Sequence, residues 1–170
     1  MPFTPFHFGP ATLLKALVPR QFSLAVFCFA QIVTDVEVLV HMAAKDGVLH
    51  QHLHTYVGAT VVAVFSFLVG KPVCDRAIGW WHRTPGLPLK EYYDPKPGIG
   101  YLPALTGAFI GTYSHVWLDS IAHPDVMPWA PFHTLNYSYH LIGPGAVHGL
   151  CFLLGVIGAV MCARLPKDRR

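Results

Sequence analysis

Residues 142–163 read IGPGAVHGLCFLLGVIGAVMCA, and they close a run from Val126 to Ala163 that holds 38 residues without one Lys, Arg, Asp or Glu. A helix needs roughly 20 mostly apolar residues to cross a bilayer. Three more charge-free runs precede this one: 14 residues between Arg20 and Asp35, 24 from Gly47 to Gly70, and 22 from Pro97 to Leu118. They predict four spans, over about 21–41, 54–71, 99–121 and 142–163. Lipid admits only helices or closed barrels, and the alternation of barrel strands is absent. The expected fold is therefore all-α: one integral membrane domain over residues 1–170, a helical bundle of about four transmembrane helices plus a short N-terminal helix.

Composition supports the same class. Only 12% of the chain is charged, against about 25% in an ordinary soluble domain. A mean hydropathy of +0.43 excludes a disordered chain and fits poorly with a small soluble one. A net charge of +3 without a basic stripe excludes a nucleic-acid partner. Cys28, Cys74, Cys151 and Cys162 form no CxxC pair, which excludes a disulfide scaffold.

Residues 5–18, opened by Thr4-Pro5 and closed before Pro19, predict a helix too short to span, either re-entrant or interfacial. No Lys or Arg precedes that stretch, so it does not read as a signal peptide. The segment 71–98 carries Pro72, Pro85, Pro88, Pro95 and Pro97 with Lys71, Arg76, Arg83, Lys90 and Lys96, and reads as a Pro-rich basic loop. The chain ends on Arg164, Lys167, Arg169 and Arg170, whereas residues 122–141 contain no Lys or Arg. The positive-inside rule then puts the 71–98 loop and the C-terminus in the cytoplasm.

In that orientation His41, His50, His52, His54, His115, His123, His133 and His140 gather on the non-cytoplasmic side. The sharpest pattern is His115-x-x-x-Asp119, within Gly111-Thr112-Tyr113-Ser114-His115-Val116-Trp117-Leu118-Asp119-Ser120. Spacing i, i+4 puts both side chains on one helix face, and imidazole with carboxylate suits zinc or a similar ion. His123 follows Asp119 by four, and Pro124 then favours the end of the helix. His54 opens the second span at the level of Asp119. Asp35 and Glu37 point about 200° apart on a helix, so Asp35 is assigned to the bundle and Glu37 to the interface, unless the helix ends there. His7 lies in an early apolar stretch.

These residues resemble a known pattern: His7 near Gly9, Asp35-Val36-Glu37 ending the first long apolar segment, His50 to His54-Thr55 opening the second, the Gly111–Ser120 block, and Met127-Pro128-Trp129-Ala130-Pro131-Phe132 trailing it. Over about residues 1–135 the chain resembles the inner-membrane-associated metal-dependent hydrolases of the LexA-binding type. It departs from them in Glu37, where a second Asp is usual, and in Gln51, where an Arg is common. The resemblance implies a bacterial or archaeal inner-membrane location.

The expectation is a membrane-embedded metal-dependent hydrolase working at the non-cytoplasmic interface. His7, Asp35, His54, His115 and Asp119 are the expected metal ligands. Glu37 is the base or an acceptor behind a ligand, and His123 an extra ligand or an acid. Zinc is the expected cofactor, with Mn2+ and Fe2+ open. The expected partners are the lipid bilayer, an amphiphilic substrate such as a phospholipid or lipid-linked ester, and a second copy or another membrane protein. The rival is a non-enzymatic subunit that binds metal, relays protons or only packs. Gly107-x-x-x-Gly111 and Gly145-x-x-x-Gly149 are expected to let helices approach closely.

Overall fold

A computed structural model of the chain describes residues 5–45, 47–86 and 98–165. A 3-10 turn at Pro5–His7 leads into α1 (Phe8–Leu17). Then come α2 (Leu24–Ala44), α3 (Tyr56–Phe65), a π-helical turn at Ser66–Gly70, α4 (Lys71–Arg83), α5 (Tyr101–Ala122) and α6 (Pro144–Arg164). The described residues include no strand.

Three of these helices are long and apolar enough to cross a membrane: Leu24–Ala44, Tyr56–Arg83 and Pro144–Arg164. The expected fourth, α5, has the length but not the apolarity. Thr112, His115, Asp119 and Ser120 are all buried on it, so α5 spends its polar residues inside the bundle. The opposite case is α6, where only Val147, Cys151 and Gly158 are buried and Phe152, Leu153, Val156 and Val160 stay exposed.

The basic segment begins as helix rather than loop. Lys71–Arg83 continues α3 through the π turn. Pro72 follows close on the π turn, an irregularity in the helical hydrogen-bond ladder of the kind that, like proline, bends a helix. Lys71 and Asp75 form an i, i+4 ion pair at 2.9 Å. Lys90, Lys96 and the prolines after Pro85 lie outside the described residues, as do Lys167, Arg169 and Arg170.

Between lipid-embedded helices, close packing rather than dehydration supplies the attraction. Gly107 fits the expected role: a Cβ there would lie 2.5 Å from the Ser23 carbonyl oxygen, so α5 can press against α2 only as glycine. Gly145 and Gly149 do not, since a Cβ on either meets nothing within 4 Å. Instead α6 packs on α1, through Gly158 against the backbone of Leu13. Ala11, Phe22 and Phe27 form one core cluster, and Val26, Cys74, Ala104 and Ala108 another. Cys28, Cys74, Cys151 and Cys162 form no disulfide among the described residues.

Candidate metal centre

Four elements deliver side chains to one end of the bundle. Ser23 caps α2, accepting the Val26 N–H at 3.3 Å; three turns on, α2 presents Asp35. Thr55 caps α3, accepting the Gly58 N–H at 2.9 Å and donating to the His52 carbonyl at 2.9 Å. That cap fixes the loop in which His54 is completely buried. The last turns of α5 carry His115 and Asp119, and the helix stops at His123, whose N–H still reaches the Asp119 carbonyl. Asn136 Nδ2 donates to the Ser120 and His123 carbonyls and ties the following segment over this helix end.

The side chains meet as the i, i+4 spacing predicts. His115 Nε2 is 3.1 Å from Asp119 Oδ2 and 3.2 Å from Asp35 Oδ1. His54 Nε2 is 3.6 Å from the same Asp119 oxygen. Asp35, His54, His115 and Asp119 each offer a ligand atom within 4.8 Å of the others, and all four are buried. Ligands of a tetrahedral ion with bonds of about 2.0–2.1 Å lie roughly 3.4 Å apart, which matches the short contacts. His7 also arrives, but on the other oxygen, with Nε2 3.4 Å from Asp119 Oδ1.

The tautomers follow from the outer partners. The Gln31 amide nitrogen donates to the Gly111 carbonyl at 2.9 Å. A carbonyl can only accept, so Gln31 Oε1 is turned to His115 Nδ1, 2.5 Å away, and that nitrogen must carry the proton. Glu37 Oε2 is 3.0 Å from His54 Nδ1 and fixes the proton there in the same way. In the neutral imidazoles both Nε2 atoms are then bare lone pairs. Both are buried without a hydrogen-bond partner, and both face carboxylate oxygens. Acceptors facing acceptors in a dry site repel, and no Lys or Arg among the described residues pairs with Asp35, Glu37 or Asp119. Burying such charges costs several kcal/mol per ion when uncompensated, and a cation at the centre removes that cost. The group can hold a metal ion.

Glu37 departs from its expected place at the lipid interface. Helix α2 runs on to Ala44, yet Glu37 is buried, because the 49–55 loop folds back over it. Its carboxylate accepts the backbone N–H groups of Gln51 at 3.2 Å, His52 at 2.7 Å and Leu53 at 3.0 Å besides His54 Nδ1. It stands behind the His54 imidazole, on the side away from Asp119. His52 points outward, its side chain 86% exposed.

A second group adjoins the first. His50, His123 and Asp125 bring ligand atoms within 4.8 Å of one another, at a less buried position. Asp125 Oδ2 accepts from the Leu49 and His50 N–H groups and from His50 Nδ1 at 2.9 Å. Burial works to raise the Asp125 carboxyl, but the His50 hydrogen bond, the electrostatic pull of His50 and the backbone N–H groups together outweigh it and hold Asp125 below the usual carboxylate range. Burial lowers the His123 imidazole against the pull of Asp119, which keeps it neutral and available as a ligand. The His123 Nε2 lies 4.0 Å from Asp119 Oδ1. Gln31 was not foreseen from the sequence; its signal is its place at i−4 from Asp35, on the same helix face.

The chain belongs to the family described as Domain of unknown function (DUF4184), which matches residues 1–166. No curated protein and no solved structure matches it.

Proposed function

We propose that this chain is a membrane-embedded hydrolase that holds a divalent cation, zinc by ligand chemistry, on Asp35, His54, His115 and Asp119. One observation carries the reading: the partnerless, buried Nε2 atoms of His54 and His115 converge on two carboxylates. A bound zinc would polarise a substrate oxygen and lower the pKa of water towards neutrality. The chain's own residues hold the geometry: Gln31 and Glu37 orient the two imidazoles, and Thr55 anchors the loop that brings His54.

The substrate class follows from position. Trp117, Trp129, Phe132 and Tyr137 are exposed around the end of the bundle where the site lies, and aromatic side chains favour the membrane interface. An amphiphile with its ester at headgroup level, such as a phospholipid or a lipid-linked ester, meets the site there. Hydrolysis adds one water across the bond: hydroxide joins the acyl or phosphoryl group, and the leaving oxygen takes the proton. The likeness of the Gly111–Ser120 block to inner-membrane-associated hydrolases points the same way. In this reading the site is on the non-cytoplasmic side and the C-terminus in the cytoplasm.

The test is metal content followed by activity. Untagged protein in mild detergent should carry zinc, and His115→Ala and Asp119→Ala should lose it. The loaded wild type should release product from a panel of phospholipids and lipid-linked esters, and the variants should not. Activity that survives either substitution overturns the reading. A second reading, a structural metal site in a non-enzymatic subunit, is favoured by the closure of the ligands: His54 is 0% and His115 1% exposed, and structural zinc sites are closed where catalytic ones keep an open position. Bound metal without turnover on the whole panel would select it.

A further inference from the structure

Asp119 offers its two oxygens to different histidines. Oδ2 faces His115 at 3.1 Å and His54 at 3.6 Å, whereas Oδ1 faces His7 at 3.4 Å and His123 at 4.0 Å. On the Oδ1 side stands the group of His50, His123 and Asp125. His50 contacts both neighbours through its ring, with its centroid 4.6 Å from His123 and 4.7 Å from His54.

The outer group brings a carboxylate and two imidazoles to ligand spacing, as the inner one does. Asp125 Oδ2 lies 2.9 Å from His50 Nδ1 and accepts the backbone N–H groups of Leu49 and His50, which hold the carboxylate in place. The His50 imidazole is buried, and its ring stacks on that of His123. Asp35, Glu37, Asp119 and Asp125 bring four carboxyl groups to one cluster, and no Lys or Arg among the described residues pairs with any of them. Carboxylates gathered at this depth call for compensating cations.

We propose that the chain holds a second divalent cation at the outer, half-buried position, on His50, His123 and Asp125, with Asp119 bridging it to the inner one. This rests on the inner site proposed above. The outer cation lies nearer the surface, on the side from which a substrate enters. A pair of cations about 3.5–4 Å apart clamps the attacking and leaving oxygens of a displacement at phosphorus, so the pair favours a phosphoester over a carboxylic ester.

The test uses the full chain in detergent, with Zn2+ and Mn2+ as probes. Wild type dialysed against Zn2+ should bind two equivalents, and His123→Ala and Asp125→Asn should each bind one. Wild type loaded with Mn2+ should give an exchange-coupled electron paramagnetic resonance spectrum, which needs no variant and so does not depend on whether the substituted chains fold. One equivalent in wild type, with an uncoupled Mn2+ spectrum, overturns the second cation and leaves the inner site standing. Two equivalents retained in both variants overturn its assignment to these residues. No bound metal in wild type overturns the inner site as well.

Discussion

Glu37 Oε2 lies 3.0 Å from His54 Nδ1, and the same carboxylate accepts the backbone N–H groups of Gln51, His52 and Leu53. One side chain thus shapes the loop and sets the tautomer of the histidine that the loop delivers. Glu37→Gln keeps the volume but turns an NH2 group into a cluster of donors. Outer partners of this kind are worth about 10–100-fold in metal affinity, and a loss of that size is expected here. Competition titration of Zn2+ with a coloured chelator measures it, and an unchanged affinity would remove Glu37 from the site.

Gln31 does for His115 what Glu37 does for His54, with a neutral group. Gln31→Leu leaves His115 Nδ1–H buried without an acceptor, a cost of about 1–3 kcal/mol, and frees the imidazole to present the wrong nitrogen. Zinc affinity should fall at least tenfold. Gln31→Glu restores the acceptor for His115 Nδ1 but sets its second oxygen against the Gly111 carbonyl, so affinity should recover in part. Recovery in the Glu variant separates an effect on the tautomer from simple loss of packing, and the same titration reads both.

Much of this was legible in the chain. His115 and Asp119 needed only the helical period, and the short N-terminal helix only its flanking prolines. The failures have physical causes. A helical wheel places Glu37 opposite Asp35 correctly but does not say what covers that face, and here it is a loop rather than lipid. The charge and proline at Lys71-Pro72 read as the end of a span, yet a π turn carries the helix past both. Mean hydropathy is blind to direction: the polar residues of α5 lower its average although they face the centre of the bundle. Gln31 carries no charge, so a search for titratable groups passes over it.

Gly58 tests whether the loop must sit where it does. A Cβ at this position would lie 2.0 Å from the His52 carbonyl oxygen. Gly58→Ala must push the 52–55 loop away from α3, at a cost of order 1–3 kcal/mol or more, and His54 moves with it. Thermal unfolding in detergent should show the loss of stability, and dialysis a lower zinc occupancy. Gly145→Ala is the control, because its Cβ meets nothing within 4 Å; it should match wild type in both measurements.

Removal of the metal separates a cation centre from a proton centre. A single proton on His115 Nε2 would also ease the repulsion with Asp35 and Asp119, and the bundle would then need no metal. A proton cannot be chelated. If a cation fills the centre, strong chelators should lower the unfolding temperature of the wild type and added Zn2+ should restore it. The size follows from mass action: free ligand at 100 times its dissociation constant stabilises by about 2.7 kcal/mol. The chelated protein keeps Asp35, Glu37 and Asp119 buried without a counter-cation. Asp119→Asn removes one of those charges, and its unfolding should respond less to the chelator than the wild type does. Identical melting curves for the wild type with and without chelator, across pH 6–9, would assign the cluster to protons instead.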